Sequence, residues 1–116
     1  MTSDVFAERF AAVRARFAAK LDARIDEIES TVPRLNDGGA SDALALAHRR
    51  AHDLCGAGPT MGFAATGKTA RSIEQMLIAA IKAQRALTED ELTRMRSGVA
   101  ELRAAAAADI QSINQV

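Results

Sequence analysis

The chain is predicted to be all-α, an up-and-down antiparallel four-helix bundle, on three observations. Apolar residues recur at steps of three or four almost from end to end. Alanine supplies much of the apolar content while Trp and Tyr are absent; this mixture suits closely approaching helices and is poor in the β-branched and aromatic residues that strands favour. Two clusters of helix-breaking residues, Pro33 to Gly39 and Gly56 to Gly62, and a capping signal at Thr88 cut the pattern into four lengths joined by short connections, the layout of a helical bundle. No strand-like alternation competes, and there is no internal repeat.

The first stripe is Phe6, Phe10, Val13, Phe17, Leu21, Ile25, Ile28, Val32 and Leu35. It predicts one long helix, or a short extra N-terminal helix followed by a long one, because a kink does not show in the periodicity. Ser3 or Asp4 is expected to cap it, and Pro33 with Asn36-Asp37-Gly38-Gly39 to end it. Ser41 and Asp42 are read as caps of a second helix that buries Leu44, Ala47, Ala51, Leu54 and Cys55 and runs little past Gly56-Ala57-Gly58-Pro59. Gly62 is a further break. A third helix carries Ala70, Ile73, Met76, Leu77 and Ile81. Thr88-Glu89-Asp90-Glu91 fits a capping box, in which the Thr and Glu side chains satisfy each other's backbone amides. The last helix follows with Leu92, Met95, Val99, Leu102, Ala106, Ile110 and Ile113.

With 116 residues, the expectation is a single domain over residues 1–116, large enough to bury a core without disulfide or metal staples. The lone Cys55 agrees and points to a reducing compartment. Acidic and basic residues balance at 15 each, which argues against a nucleic-acid partner. The opening MTSDVFAERF reads neither as a signal peptide nor as the start of a membrane span, and the longest apolar run, Ala104 to Ala108, is far too short to cross a bilayer. A soluble, cytoplasmic protein with no membrane partner is expected. With no apolar face evidently left over, a monomer is expected too.

The informative stretch is Ala47-His48-Arg49-Arg50-Ala51-His52-Asp53-Leu54-Cys55-Gly56-Ala57-Gly58-Pro59-Thr60-Met61-Gly62-Phe63. On a helical wheel Leu44, Ala47, Ala51, Leu54 and Gly58 cluster on the buried side, and His52 points roughly 120° away from their centre. Its imidazole should stand on the surface. A helical side chain leans over the turn before it, so residue 56 would normally cover the flank of residue 52. Glycine there leaves the ring open, at a cost of about 1 kcal/mol relative to alanine. Arg49, one turn earlier, can offer its guanidinium to an anion held at the ring.

The string His52-x-Leu54-x-Gly56, followed by Gly62-Phe63 and then by Ala70 with Ile73-Glu74, resembles histidine-containing phosphotransfer (HPt) domains. The motif covers about Leu44 to Leu77, and the remaining helices match by pattern. The resemblance implies that His52 accepts a phosphoryl group from an aspartyl phosphate on a response-regulator receiver domain, or on the receiver of a hybrid histidine kinase, and passes it to another receiver. It also implies that Gly56 keeps the histidine accessible. No cofactor of its own is implied; Mg²⁺ is expected on the partner receiver. Many members carry Lys or Arg three positions after the histidine, where this chain has Cys55. Arg49, Lys68 or Arg71 is expected to substitute.

Phosphoryl transfer needs an in-line nucleophile and charge neutralisation and little else from the protein. An imidazole that titrates near its ordinary value, roughly 6.5, has a free nitrogen for attack at neutral pH, while its other nitrogen needs an acceptor that the sequence does not name. No ATPase or autokinase activity is expected of such a carrier. A different class of function stays open beside it: a helical module that binds a receiver without taking phosphate.

Other readings are weaker. Gly62 to Thr69 matches the spacing of a phosphate-binding loop, but such a loop acts between a strand and a helix, and no strand precedes it here. His48 and His52 form half a zinc site across one turn, with no Cys or carboxylate cluster to complete it; His48 is read as an interface or partly buried polar residue. Cys55 reads as core filler. Met61 and Phe63 are expected to cover one end of the core, with some exposed part joining a docking surface. Arg49, Arg50, Lys68 and Arg71 are expected to form a basic collar.

Overall fold

The computed structural model describes residues 2–37 and 40–114. Four helices make up nearly all of them: α1, Thr2–Thr31; α2, Ala40–Thr60; α3, Ala64–Lys82; and α4, Glu89–Asn114. No strand occurs among the described residues, and the expected all-α bundle is what the chain forms.

The first stripe makes one unbroken helix, with no separate short helix before it. α1 is already helical at Thr2, so Asp4 lies inside its first turn and is not its cap. The side chain of Ser3 and the Gly38-Gly39 break lie outside the described residues. Pro33 converts the end of α1 into a single 3-10 turn, Val32–Arg34, after which the Leu87 N–H bonds the Leu35 carbonyl at 2.9 Å and ties the two loops at this end together.

The later part of the stripe, from Phe17 to Leu35, is buried. The earlier part is not: Phe6 is 71% and Val13 40% exposed. The cause lies in α2. The Phe17 ring meets Phe63 edge-on, centroids 5.1 Å apart, so the α2–α3 turn sits level with Phe17. Beyond that level α1 has lost the neighbour that α2 provides lower down. The expectation that no apolar face is left over is therefore corrected.

Ser41 and Asp42 also lie within a first turn, not at a cap, because α2 begins at Ala40, whose N–H bonds the Asp37 carbonyl. α2 continues through Gly56 and Gly58 and takes Pro59 into its last turn, where little helix remains to be disrupted. It then closes with a paired turn: the Phe63 N–H bonds the Gly58 carbonyl at 2.7 Å, and the Gly62 N–H bonds that of Pro59 at 3.1 Å. Gly62 at φ +84° occupies the left-handed position this closure requires. The residue after it, Phe63, is driven into the core and fully buried. α3 ends with the same pattern, the Arg85 N–H bonding the Ala80 carbonyl, but there Gln84 takes the left-handed position at φ 52°.

α3 buries Ala70, Ile73, Leu77 and Ala80. Ile81, expected in the core, is exposed, because the register that buries Leu77 and Ala80 turns it outward. α4 opens with the expected capping box: the Glu91 N–H bonds Thr88 Oγ1 at 3.1 Å, and the Thr88 N–H bonds Glu91 Oε1 at 3.0 Å. No helix among the described residues is long and apolar enough to cross a membrane.

The most extensive interface is between α2 and α3, and it is built from small residues. A Cβ on Gly58 would stand 3.0 Å from the Phe63 carbonyl oxygen and 3.1 Å from the Gly67 nitrogen, while one on Gly67 would meet Pro59 Cδ at 2.7 Å. The two helices touch backbone to backbone here, and this contact fixes their register.

Candidate functional site

That register carries α3 back along α2 and sets Glu74 beside His52. The His52 side chain is 69% exposed, on the outer wall of the bundle, as the wheel predicts. Its Nδ1 hydrogen-bonds Glu74 Oε2. An ionised carboxylate only accepts, so beside one, Nδ1 is the donor, and a neutral ring then keeps its lone pair on Nε2. Glu74 is only 13% exposed, its carboxylate facing the His48 and His52 rings of α2. It is the acceptor that sequence reasoning left unnamed. The motif string includes Glu74 without giving it a role; the antiparallel register of α2 and α3, set at Gly58 and Gly67, reveals that role.

Gly56 is exposed one turn after His52, and a Cβ there would meet nothing within 4 Å. The bundle itself does not require glycine at this position. Cys55 is half-buried at the α2 edge that faces α3. Arg49 and Arg71 are both exposed, each about 60° around its helix from His52 and Glu74 respectively, and the register sets Arg71 opposite Cys55. Lys68 is exposed farther round α3. Arg50 leaves the expected basic collar: it is half-buried and turned toward α1, where its guanidinium pairs with Glu27, with Asp53 at 3.7 Å. Phe63 likewise adds nothing to an exposed surface, being wholly inside the core; only Met61 of that pair is part-exposed.

His48 is partly buried, as expected, with its ring stacked on that of His52. No group of three His, Cys, Asp or Glu side chains among the described residues is arranged to hold a metal ion. The stretch that mimics a phosphate-binding loop is occupied differently. The Thr66 N–H and hydroxyl both donate to Asp109 Oδ2, at 2.8 and 2.7 Å, so a carboxylate from α4 already fills the anion position at the start of α3. Asp109 lies 43 residues from Thr66, too far for a local capping pattern to show.

A family model, that of the Hpt domain, matches residues 12–105. The chain belongs to the Hpt domain family. Membership gives this Hpt domain a phosphotransfer role in phosphorelay signalling, in which such domains interact with receiver domains of response regulators or hybrid kinases. The match takes in both His52 and Glu74 and begins only after Phe10, leaving the exposed start of α1 outside it. No curated protein and no solved structure matches the chain.

Proposed function

We propose that His52 is the phosphoacceptor of a phosphorelay intermediate, taking a phosphoryl group from an aspartyl phosphate of a receiver domain and passing it to another. The observation that carries this reading is the Nδ1 hydrogen bond to Glu74 on an exposed ring. In the forward step the Nε2 lone pair forms the N–P bond. The bond from phosphorus to the aspartyl oxygen breaks, and its electron pair leaves with the carboxylate. The Nδ1 proton stays in place. Positive charge grows on the ring as the bond forms, and Glu74 stabilises it, as a buried carboxylate does for a catalytic imidazole. The reverse step returns the group to a receiver aspartate by the same geometry. Mg²⁺ on the receiver would neutralise the phosphoryl oxygens; this chain supplies the nucleophile and a surface that Gly56 leaves clear. Arg71, opposite Cys55, and Arg49 are the first choices to replace the cation missing at position 55, with Lys68 third.

The test is to mix the protein with a receiver charged with labelled phosphate and follow the label. Transfer to an acid-labile, alkali-stable adduct is expected, and His52→Ala should abolish it. Label retained in His52→Ala would move the site elsewhere. Stable receiver binding without any label would leave an interaction module in place of a carrier.

A further inference from the structure

His48 stands one turn before His52, with ring centroids 6.1 Å apart and planes 13° from parallel. Its side chain is 31% exposed, yet its Nε2 is sealed from solvent with no hydrogen-bond partner. Glu74 Oε2 lies 3.9 Å from that nitrogen. The same oxygen accepts from His52 Nδ1. Among the described residues, Glu74 has no ion pair with any Lys or Arg, so a largely buried carboxylate is faced by two imidazoles and by no permanent cation. A buried polar nitrogen without a partner is unfavourable, and an approach of about 1 Å would satisfy it.

We propose that His48 is a positioning residue of the phosphoacceptor site, holding the Glu74 carboxylate against His52 Nδ1 through its own Nε2–H. The proposal rests on the reading of His52 as phosphoacceptor. With its proton on Nε2 and that approach made, His48 becomes a second donor to Oε2, and the carboxylate is held by two imidazoles. It then does not swing away to water, and the His52 proton remains on Nδ1. Were the carboxylate released, the His52 ring would also populate its other tautomer, with the proton on Nε2. In that form the nitrogen that must attack has no lone pair to give. The stack adds a second constraint by fixing the plane of the reacting ring, which governs in-line approach.

Three variants of the full chain separate this role from packing. His48→Ala removes the ring; His48→Phe keeps a stacking ring without nitrogen; His48→Gln places an amide nitrogen near the position of Nε2. The first readout is the ¹⁵N spectrum of the His52 ring with no phosphoryl donor present. Wild type and His48→Gln should show the Nδ1–H form, and His48→Ala and His48→Phe a mixture with the Nε2–H form. The second readout is transfer from a charged receiver, expected to be about tenfold slower in the Ala and Phe variants with the final extent of labelling unchanged. Either readout at its wild-type value in both of these variants overturns the proposal, as does a Gln variant that behaves like Ala. A lowered melting midpoint with an unchanged His52 tautomer means packing alone and overturns it too. If wild type takes no phosphate at all, the phosphoacceptor reading falls, and the spectra still decide whether His48 governs Glu74.

Discussion

The two halves of the bundle are held by different means. α2 and α3 meet through glycine and alanine, close enough that a single added carbon on Gly67 has no room beside Pro59. α1 and α4 are spanned on the outside by long charged side chains, with Arg103 reaching Asp26 at 2.5 Å and Glu29 at 3.3 Å. His52 and Glu74 sit on the half with the tight backbone contact. A site whose geometry must hold to a fraction of an ångström is better carried by elements in direct backbone contact than by elements joined through longer side chains. Tolerance to change should therefore differ sharply between the halves.

The largest effect on the fold is expected from breaking the tight half. Gly67→Ala should cost about 1–3 kcal/mol, the range for an overpacked interior, read as a lowered urea midpoint, and should slow phosphoryl transfer as well. A midpoint equal to wild type would mean that the α2–α3 approach is looser than described. Next is Glu91, in the first turn of α4. Its carboxyl is pulled down from 4.5 to about 2, first by the Arg85 guanidinium bonded to it and then by the Thr88 backbone N–H. A carboxyl lowered in the folded state adds stability that is complete above pH 4.5 and drains as pH falls toward about 2. Glu91→Gln should cost about 1 kcal/mol at neutral pH and flatten the dependence in that acid window, measured by denaturant titrations at several pH values.

Smaller effects are expected from the charged half. Arg103→Ala should lose under about 1 kcal/mol, and the difference from wild type should shrink in high salt because solvent-facing charges are screened. A loss of several times that would show that the outer ion pairs bind α1 to α4 as firmly as glycine binds α2 to α3. The smallest effect belongs to Phe6, exposed at the start of α1. Phe6→Ser should change stability by no more than about 0.5 kcal/mol, although the sequence places Phe6 on the same stripe as the buried Phe17.

Phe6 marks where the sequence stopped being a guide. Periodicity shows which side of α1 is apolar, but not how far its neighbours extend, and the length of α2 is decided by the Gly62 turn on another segment. The helices themselves were legible because each rests on local pattern; the Thr88–Glu91 cap was legible for the same reason. His52 and Gly56 were legible because their relation, one turn apart on one helix, is also local. Glu74 stood in the motif string but its role as partner of His52 was not legible, and Asp109 was not legible at all, since each acts on a residue of a different helix and contacts fixed by tertiary register show only in the fold. Gln84 hid for a further reason: its left-handed turn is the usual place for glycine, and this chain put another residue there.

The glycine contact between α2 and α3 also works as the pivot of a pair of compasses. His52 lies six residues from Gly58 and Glu74 seven from Gly67, so the two tips stand about 9 and 10.5 Å out along their legs. Opening the angle between the legs by some 5° parts the tips by about 1 Å, enough to undo a hydrogen bond. A small change of angle at the glycines is thus magnified at the His52–Glu74 bond, and the firmness of the pivot decides how far that bond is disturbed.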